Sequence, residues 1–283
     1  MSVVPCNCYH TTEKGNCGGE IESFHQFFEC WISEQNQHLK DLLVAESTQL
    51  TGEELQPLID GVVEHYEYYY KAKSSWAKQD VLAMLSPTWT SSFEEAFLWI
   101  GGWRPSMAFH LLYSKSGMQF EARLNELIQG LRTYDLGDLS ASQLAQLDEM
   151  QRRTILEERE ISDLMARHQE TLADASMVEL SHVVSEMIRS DERDFKESKE
   201  IEDKVESTLV PKEEGLEEIL LKADELRLGT LKAIVNVLAP KQAVHFLIAA
   251  AELHLRLHDW GKKMDARKGN HGIGEGKNHN SSI

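Results

Sequence analysis

The residues whose types and spacing could do chemistry lie towards the two ends of the chain. His254 and His258 stand four residues apart, so on a helix both side chains leave the same face, one turn from each other. Two readings compete for them. They are half-buried rings near a helix end, where a cationic imidazole also suits the helix dipole, or they are ligands. A zinc site would need a third ligand, and no HExxH pattern supplies a base; no metal is assigned. At the other end stand Cys6-x-Cys8-x-His10 and then Cys17. Thiolate and imidazole suit a soft metal, but the spacing matches no ordinary zinc pattern. Residues 1–19 therefore read as a disordered leader with free thiols. The sequence contains no GxxxxGK[ST], no GxSxG and no CxxC. Its many acid pairs fall on helix faces, where they are ordinary surface. No catalytic residue is assigned, and the chain reads as non-enzymatic.

The bulk properties narrow the class. The 283 residues include 29 Lys+Arg and 47 Asp+Glu, a net charge of −18. Such a surface repels nucleic-acid phosphates, so direct DNA or RNA binding is not expected. Tyr66, Tyr68, Tyr69 and Tyr70 beside Lys71 and Lys73 could stack bases, but two lysines make a poor electrostatic funnel. They read as core with a snorkelling surface. The most apolar run, Ala243 to Ala251, contains His245 and is far too short to span a membrane. The cysteines Cys6, Cys8, Cys17 and Cys30 are no disulfide framework, which points to a reducing compartment, nucleus and cytoplasm.

Apolar residues recur at helical spacing almost throughout, so the expected fold is all-α, a bundle of long helices. Phe24, Phe27-Phe28 and Trp31 to Leu43 mark one helix. Thr51 and Glu54 form a capping box for the next, over 52–85. Residues 86–117 hold three of the six tryptophans, Trp89, Trp99 and Trp103. Ser91 or Ser92 caps a helix there, with Glu94 and Glu95 in its first turn and Phe93, Phe97, Leu98 and Ile100 along it. Gly101-Gly102 ends it, and Pro105 opens another through Phe109, Leu112 and Tyr113. This Trp-rich helix–turn–helix corner is too aromatic for a surface. Further helices are expected over 118–131, from Ser140 to about Leu172 with Glu157 to Glu160 as a solvated face, over 213–238, and from about Lys241 to Lys268. Residues 191–218 carry twelve acids against five bases, so 191–212 read as a charged mobile loop. The domain then spans 20–265, and 266–283, rich in Gly and Asn, are a disordered tail.

The corner also carries a resemblance. Pro87-Thr88-Trp89 and Trp99-Ile100-Gly101-Gly102-Trp103-Arg104-Pro105-Ser106 resemble the signature of the plant Delay of Germination domain, which also forms the C-terminal part of TGA-type bZIP transcription factors. Residues 144–169 follow the same family's pattern: Leu144, Leu147, Gln151, Thr154, Glu157, Glu158, Ile161, Leu164, Ala166, Gln169. So do Ala223-Asp224-x-Leu226-Arg227, Thr230-Leu231, Leu238-x-Pro240-x-Gln242 and Leu253-His254-Leu255-x-x-His258-x-Trp260-Gly261. Phe27-Phe28-x-x-Trp31 at the start suggests a stand-alone member. The resemblance implies a regulator of seed dormancy and development in abscisic-acid signalling. It implies contacts with type 2C protein phosphatases or transcription factors, and haem as a cofactor held at His254 and His258. Two histidines one turn apart cannot hold opposite faces of one haem from a straight helix, so either one of them is the axial ligand, or the helix deforms, or the second ligand comes from another chain. Self-association through the long helix from Ser140 is a further expectation. Only about twenty residues precede the domain, with Lys14 their one lysine, so the DNA-binding residues of the TGA factors are not carried across. The alternative readings are a haem-binding sensor that uses this histidine pair and a transcription component that touches DNA.

Overall fold

The computed structural model describes residues 23–48, 50–124, 128, 134–190 and 195–274. Among them the regular structure is helical, with one isolated bridge between Trp99 and Gly102. Helix α1, Phe24–Ser47, starts where the Ser23 hydroxyl accepts the Gln26 N–H at 3.3 Å. Its stripe of Phe24, Phe27, Phe28, Trp31, Leu39 and Leu42 is buried. Helix α2, Gly52–Ala77, begins on the expected Thr51–Glu54 capping box and buries Leu55, Ile59, Val62, His65 and Lys73. Two short helices follow, α3 over Val81–Leu85 and α4 over Ser92–Glu95. Helix α5 spans Met107–Ala122, and a 3-10 turn at Leu136–Asp138 packs back on it through Ser116 and Gln119. Then come α6, Ala141–Glu170, α7, Ala175–Ser190, α8, Phe195–Val237, and α9, Pro240–Gly274.

The long pair α6–α8 is antiparallel. Gln143 bonds the Val237 carbonyl, Thr154 meets Thr230, and the His168 ring meets the Lys212 carbonyl. As residue numbers rise on α6 they fall on α8. One core lies between α1, α2, α5, α8 and α9, around Leu42, Ile59, Phe109, Leu112, Ile234 and Phe246. An aromatic cluster of Phe24, Phe27, Phe28, Trp31 and Trp89 sits beside it. A third cluster joins Trp99 to Ile161, Ile219 and Ala223. No helix among the described residues is long and apolar enough to cross a membrane.

Several boundaries differ from those expected. Residues 195–212, expected as part of a charged mobile loop over 191–212, are the first half of α8. Glu and Lys are good helix formers, and α7 gives the half-helix something to pair with. Lys204 reaches Glu179 at 2.8 Å, and Lys212 reaches Asp174 at 2.9 Å. Pro211 removes one ladder bond, yet α8 continues because Leu216, Ile219 and Leu220 beyond it are packed. The last helix reaches Gly274, so the expected tail begins later than 266. The leader with Cys6, Cys8, His10 and Cys17, and residues 275–283, lie outside the described residues. The helix expected through Ile100 is a single turn, and Phe97 is 58% exposed. The solvated face expected over Glu157–Glu160 holds one exception, Glu158, which is buried.

Candidate functional site

The chain makes a tight turn at the signature. Trp99 and Gly102 exchange backbone hydrogen bonds of 2.7 and 3.3 Å, and the two residues between them, Ile100 and Gly101, have φ of 46° and 65°. Positive φ at both central positions is a type I′ turn. A β-branched residue rarely accepts it, at a cost of about 1–3 kcal/mol. Something must hold Ile100 there, and a buried charge cluster does so.

Arg227 on α8 supplies most of the hold. Its Nη2 donates to the Trp99 carbonyl and, at 2.9 Å, to the Ile100 carbonyl, and its Nε donates to the Trp103 carbonyl at 2.7 Å. Its Nη1 pairs with Asp224, one turn back on the same helix. From α2, Lys73 donates to the Gly101 carbonyl at 2.7 Å and to Asp224 at 3.1 Å. Lys73 is only 1% exposed. Burial pushes its ammonium down to about 8, while Asp224 pulls it back up. Two cations and one carboxylate thus stand together, and four carbonyl dipoles of the turn complete their solvation, the condition under which buried charge is tolerated. The glycines make this approach feasible. A Cβ on Gly102 would lie 2.9 Å from the Arg227 guanidinium, and one on Gly101 would lie 2.6 Å from the Met84 carbonyl.

The rest of the signature fastens the corner to α6. Glu158 accepts the Ser106 N–H at 2.7 Å and its hydroxyl at 3.0 Å, and faces Arg104 at 3.4 Å. The Trp99 indole donates to Ser162 at 2.9 Å and lies between Arg104 and Arg227, each just over 5 Å from its ring. Trp89, Trp99 and Pro105 are buried, Trp103 is half-buried and Arg104 is exposed. Of the seven expected signature residues, Trp99, Gly101, Gly102, Trp103, Arg104 and Pro105 lie at this joint between α2, α6 and α8, whereas Trp89 packs on Phe24 and Phe28 of α1 in the aromatic cluster.

His254 and His258 lie on the other side of the aromatic cluster, on α9. His258 is buried, and its Nδ1 stands 3.1 and 3.2 Å from the Glu94 oxygens. Its ring edge meets Phe28 at 5.5 Å. Burial pushes the Glu94 carboxyl up, but hydrogen bonds from His258 and Ser91 outweigh it and hold the group below the usual range. Glu94 is also the capping partner of Ser91. Gly261 lets α9 approach that cap, since a Cβ there would strike the Ser91 hydroxyl. His254 lies 5.6 Å from the Trp31 ring, and burial holds its imidazole down to about 4, with Glu94 pulling the other way. Trp31 stacks flat on His65 at 4.6 Å, and His65 in turn meets His38 at 4.9 Å.

A cavity of about 210 Å³ opens between this histidine wall and the signature turn, lined by Phe28, Trp31, Tyr69, Tyr70, Lys73 and His254 among others. These residues do not fit a haem as they stand. The cavity is below the roughly 300–1,000 Å³ of drug-sized sites and both rings pack on aromatic neighbours, although Glu94 engages only the Nδ1 of His258 and leaves its buried Nε2 without a hydrogen-bond partner, as in a ligating imidazole. Among the described residues no cluster of three or more His, Cys, Asp or Glu is arranged to hold a metal ion.

Sequence reasoning placed the signature and the histidine pair but missed Lys73, Asp224 and Arg227 as the residues that hold the turn, and Glu158 as the one that fastens the corner to α6. The Asp224–Arg227 spacing on an apolar helix stripe was the available signal. Lys73 carried none, because its partner is 151 residues away.

The fold and joint define an all-α domain in which a tryptophan-glycine corner is clamped by buried charge. The chain belongs to the DOG1 family. A family profile described as seed dormancy control matches residues 38–114. The DOG1-like 4 protein of Arabidopsis thaliana is 32% identical over 247 residues, covering 86% of this chain and 93% of the relative. The RESPONSE TO ABA AND SALT 1 protein of the same plant is 26% identical over 247 residues, with coverage of 84% and 94%. Transcription factor TGA5, also from Arabidopsis thaliana, is 27% identical over 240 residues, covering 85% of this chain but 64% of TGA5. The domain is thus shared with TGA transcription factors.

Proposed function

We propose that the chain is a non-enzymatic regulator that acts by binding other proteins, in seed dormancy and development and in abscisic-acid signalling. Type 2C protein phosphatases are the first partner class and transcription factors the second. The family's description and the names of the relatives support the process. The observation that carries the mechanism is the hairpin of α7 with the first half of α8. It leaves Val178, Ile188, Leu209 and Val210 exposed, Ile188 to 77%. Apolar side chains along an acidic, elongated pair are suited to a partner's groove. Nuclear as well as cytoplasmic residence goes with this reading, given the transcription factors among the relatives.

Interferometry with a purified type 2C phosphatase catalytic domain tests the proposal. Val178→Glu with Ile188→Glu is expected to weaken binding by about 1.4–3 kcal/mol, tenfold or more, with the helical signal unchanged. No saturable binding to any such phosphatase or TGA factor would remove the mechanism. A mobility shift with plant promoter DNA at low salt would instead favour the reading in which the chain itself touches DNA.

A further inference from the structure

The cavity beside the signature turn holds polar atoms that the protein leaves unused. The Lys73 ammonium has three donors and two partners, Gly101 and Asp224. Among the described residues the hydroxyls of Tyr69 and Tyr70 have no hydrogen-bond partner; their rings pack on each other at 5.2 Å. All three residues line the cavity. Hydroxyls and an ammonium offer donors, so the complementary group is an acceptor. The charge points the same way. Lys73 and Arg227, both on the cavity wall, face one carboxylate, Asp224. Glu94 also lines the cavity, but His258 and Ser91 engage its oxygens. Most of the remaining wall is apolar, with Phe28, Trp31, Trp89 and Phe246, beside Tyr66, Thr90, Arg104 and His254. Met107 and Leu253, which also line the cavity, are exposed and mark its mouth.

We propose that this cavity binds a small organic acid, with its carboxylate at Lys73, Tyr69 and Tyr70 and an apolar body between Trp31, Trp89 and Phe246. The volume of about 210 Å³ sets the size, a single ring or a short chain, below that of drug-sized ligands. The carboxylate would touch the residue that holds the Gly101 carbonyl, so occupancy reaches the signature turn directly. This site is independent of the protein-binding hairpin and does not rest on it.

Calorimetric titration of the full chain with 3-phenylpropanoate, and with 3-phenylpropanamide as its neutral counterpart, tests the assignment. The acid is expected to bind saturably, with one site per chain and about tenfold more tightly than the amide, since charge-assisted hydrogen bonds are roughly twice as strong as neutral ones. Tyr69→Phe with Tyr70→Phe, which keeps both rings, is expected to weaken the acid about tenfold and leave the amide within about threefold. Ala250→Phe, which fills the cavity from α9, is expected to abolish both. Circular dichroism and the urea midpoint establish that each variant folds, and the tyrosine pair decides the matter if Ala250→Phe does not. Absence of saturable acid binding overturns the proposal. So does equal affinity for acid and amide, and so does an acid affinity that the tyrosine changes leave untouched.

Discussion

At the scale of single residues, the signature is an anchoring device. Gly101 has φ of +65° and no room for a Cβ. Gly101→Ala should therefore cost more than the roughly 1–2 kcal/mol of a left-handed residue alone, read from urea unfolding; a loss under about 0.5 kcal/mol would deny the strain. Asp224 is the one carboxylate between two buried cations. Asp224→Asn should cost about 3–5 kcal/mol, the scale of a buried pair broken from one side, and a near-neutral result would mean the carbonyls alone suffice. The histidines set an acid limit. Burial and the neighbouring His38 and His254 push His65 down to about 3, and burial pushes His254 down to about 4, from an ordinary 6.5. The unfolded chain therefore takes up protons below about pH 6.5 that the folded chain refuses. Stability is full above that pH and falls as pH drops towards 4, at up to about 1.4 kcal/mol per unit for each ring. Urea midpoints at pH 7.5, 5.5 and 4.5 measure the fall, and His65→Gln should flatten it. A midpoint that does not move would contradict the burial of these rings. Haemin titration reads the remaining expectation: the packed histidines predict no Soret band that depends on His254 and His258, and a band lost in the double alanine variant would contradict this geometry.

At the scale of elements, local signals were legible and long-range ones were not. The Thr51–Glu54 capping box formed where sequence put it, and of the two cap candidates Ser91 and Ser92 it is Ser91 that caps α4, in a box with Glu94; both boxes involve residues three apart. The break before Pro240 likewise follows from one residue's missing N–H. The helix over 195–212 was illegible because its pairing is with α7, through Lys204–Glu179 and Lys212–Asp174. A charged run looks the same whether a partner helix is present or absent. Glu158 was misread for the same reason: its face points outward by composition, but Ser106 and Arg104 arrive there from more than fifty residues away. Ser91 ties the short α4 to both Glu94 and the α9 approach at Gly261. Ser91→Ala should remove about 0.5–2 kcal/mol and Ser91→Asp, a good cap but bulkier against Gly261, should not restore it; thermal melts of the two variants separate capping from fit.

At the scale of the molecule, two regions differ in kind. Around the aromatic cluster, helices α1, α2, α5 and α9 form a closed core with a small cavity. Beyond the corner, α6, α7 and α8 extend as an acidic pair with exposed apolar side chains along it. The joint at Trp99–Ser106 connects them, since Glu158 of α6 and Arg227 of α8 both hold it. Fold class and family were legible from helical spacing and the signature; which face meets a partner was not, because a core stripe and an interface stripe have the same period. Hydrogen exchange of the chain, alone and with a type 2C phosphatase catalytic domain, distinguishes them most directly. The account predicts new protection over 175–190 and 203–212, with the core around Phe109 and Ile234 unchanged. Protection confined to the corner, or none on the hairpin in a saturated complex, would contradict it.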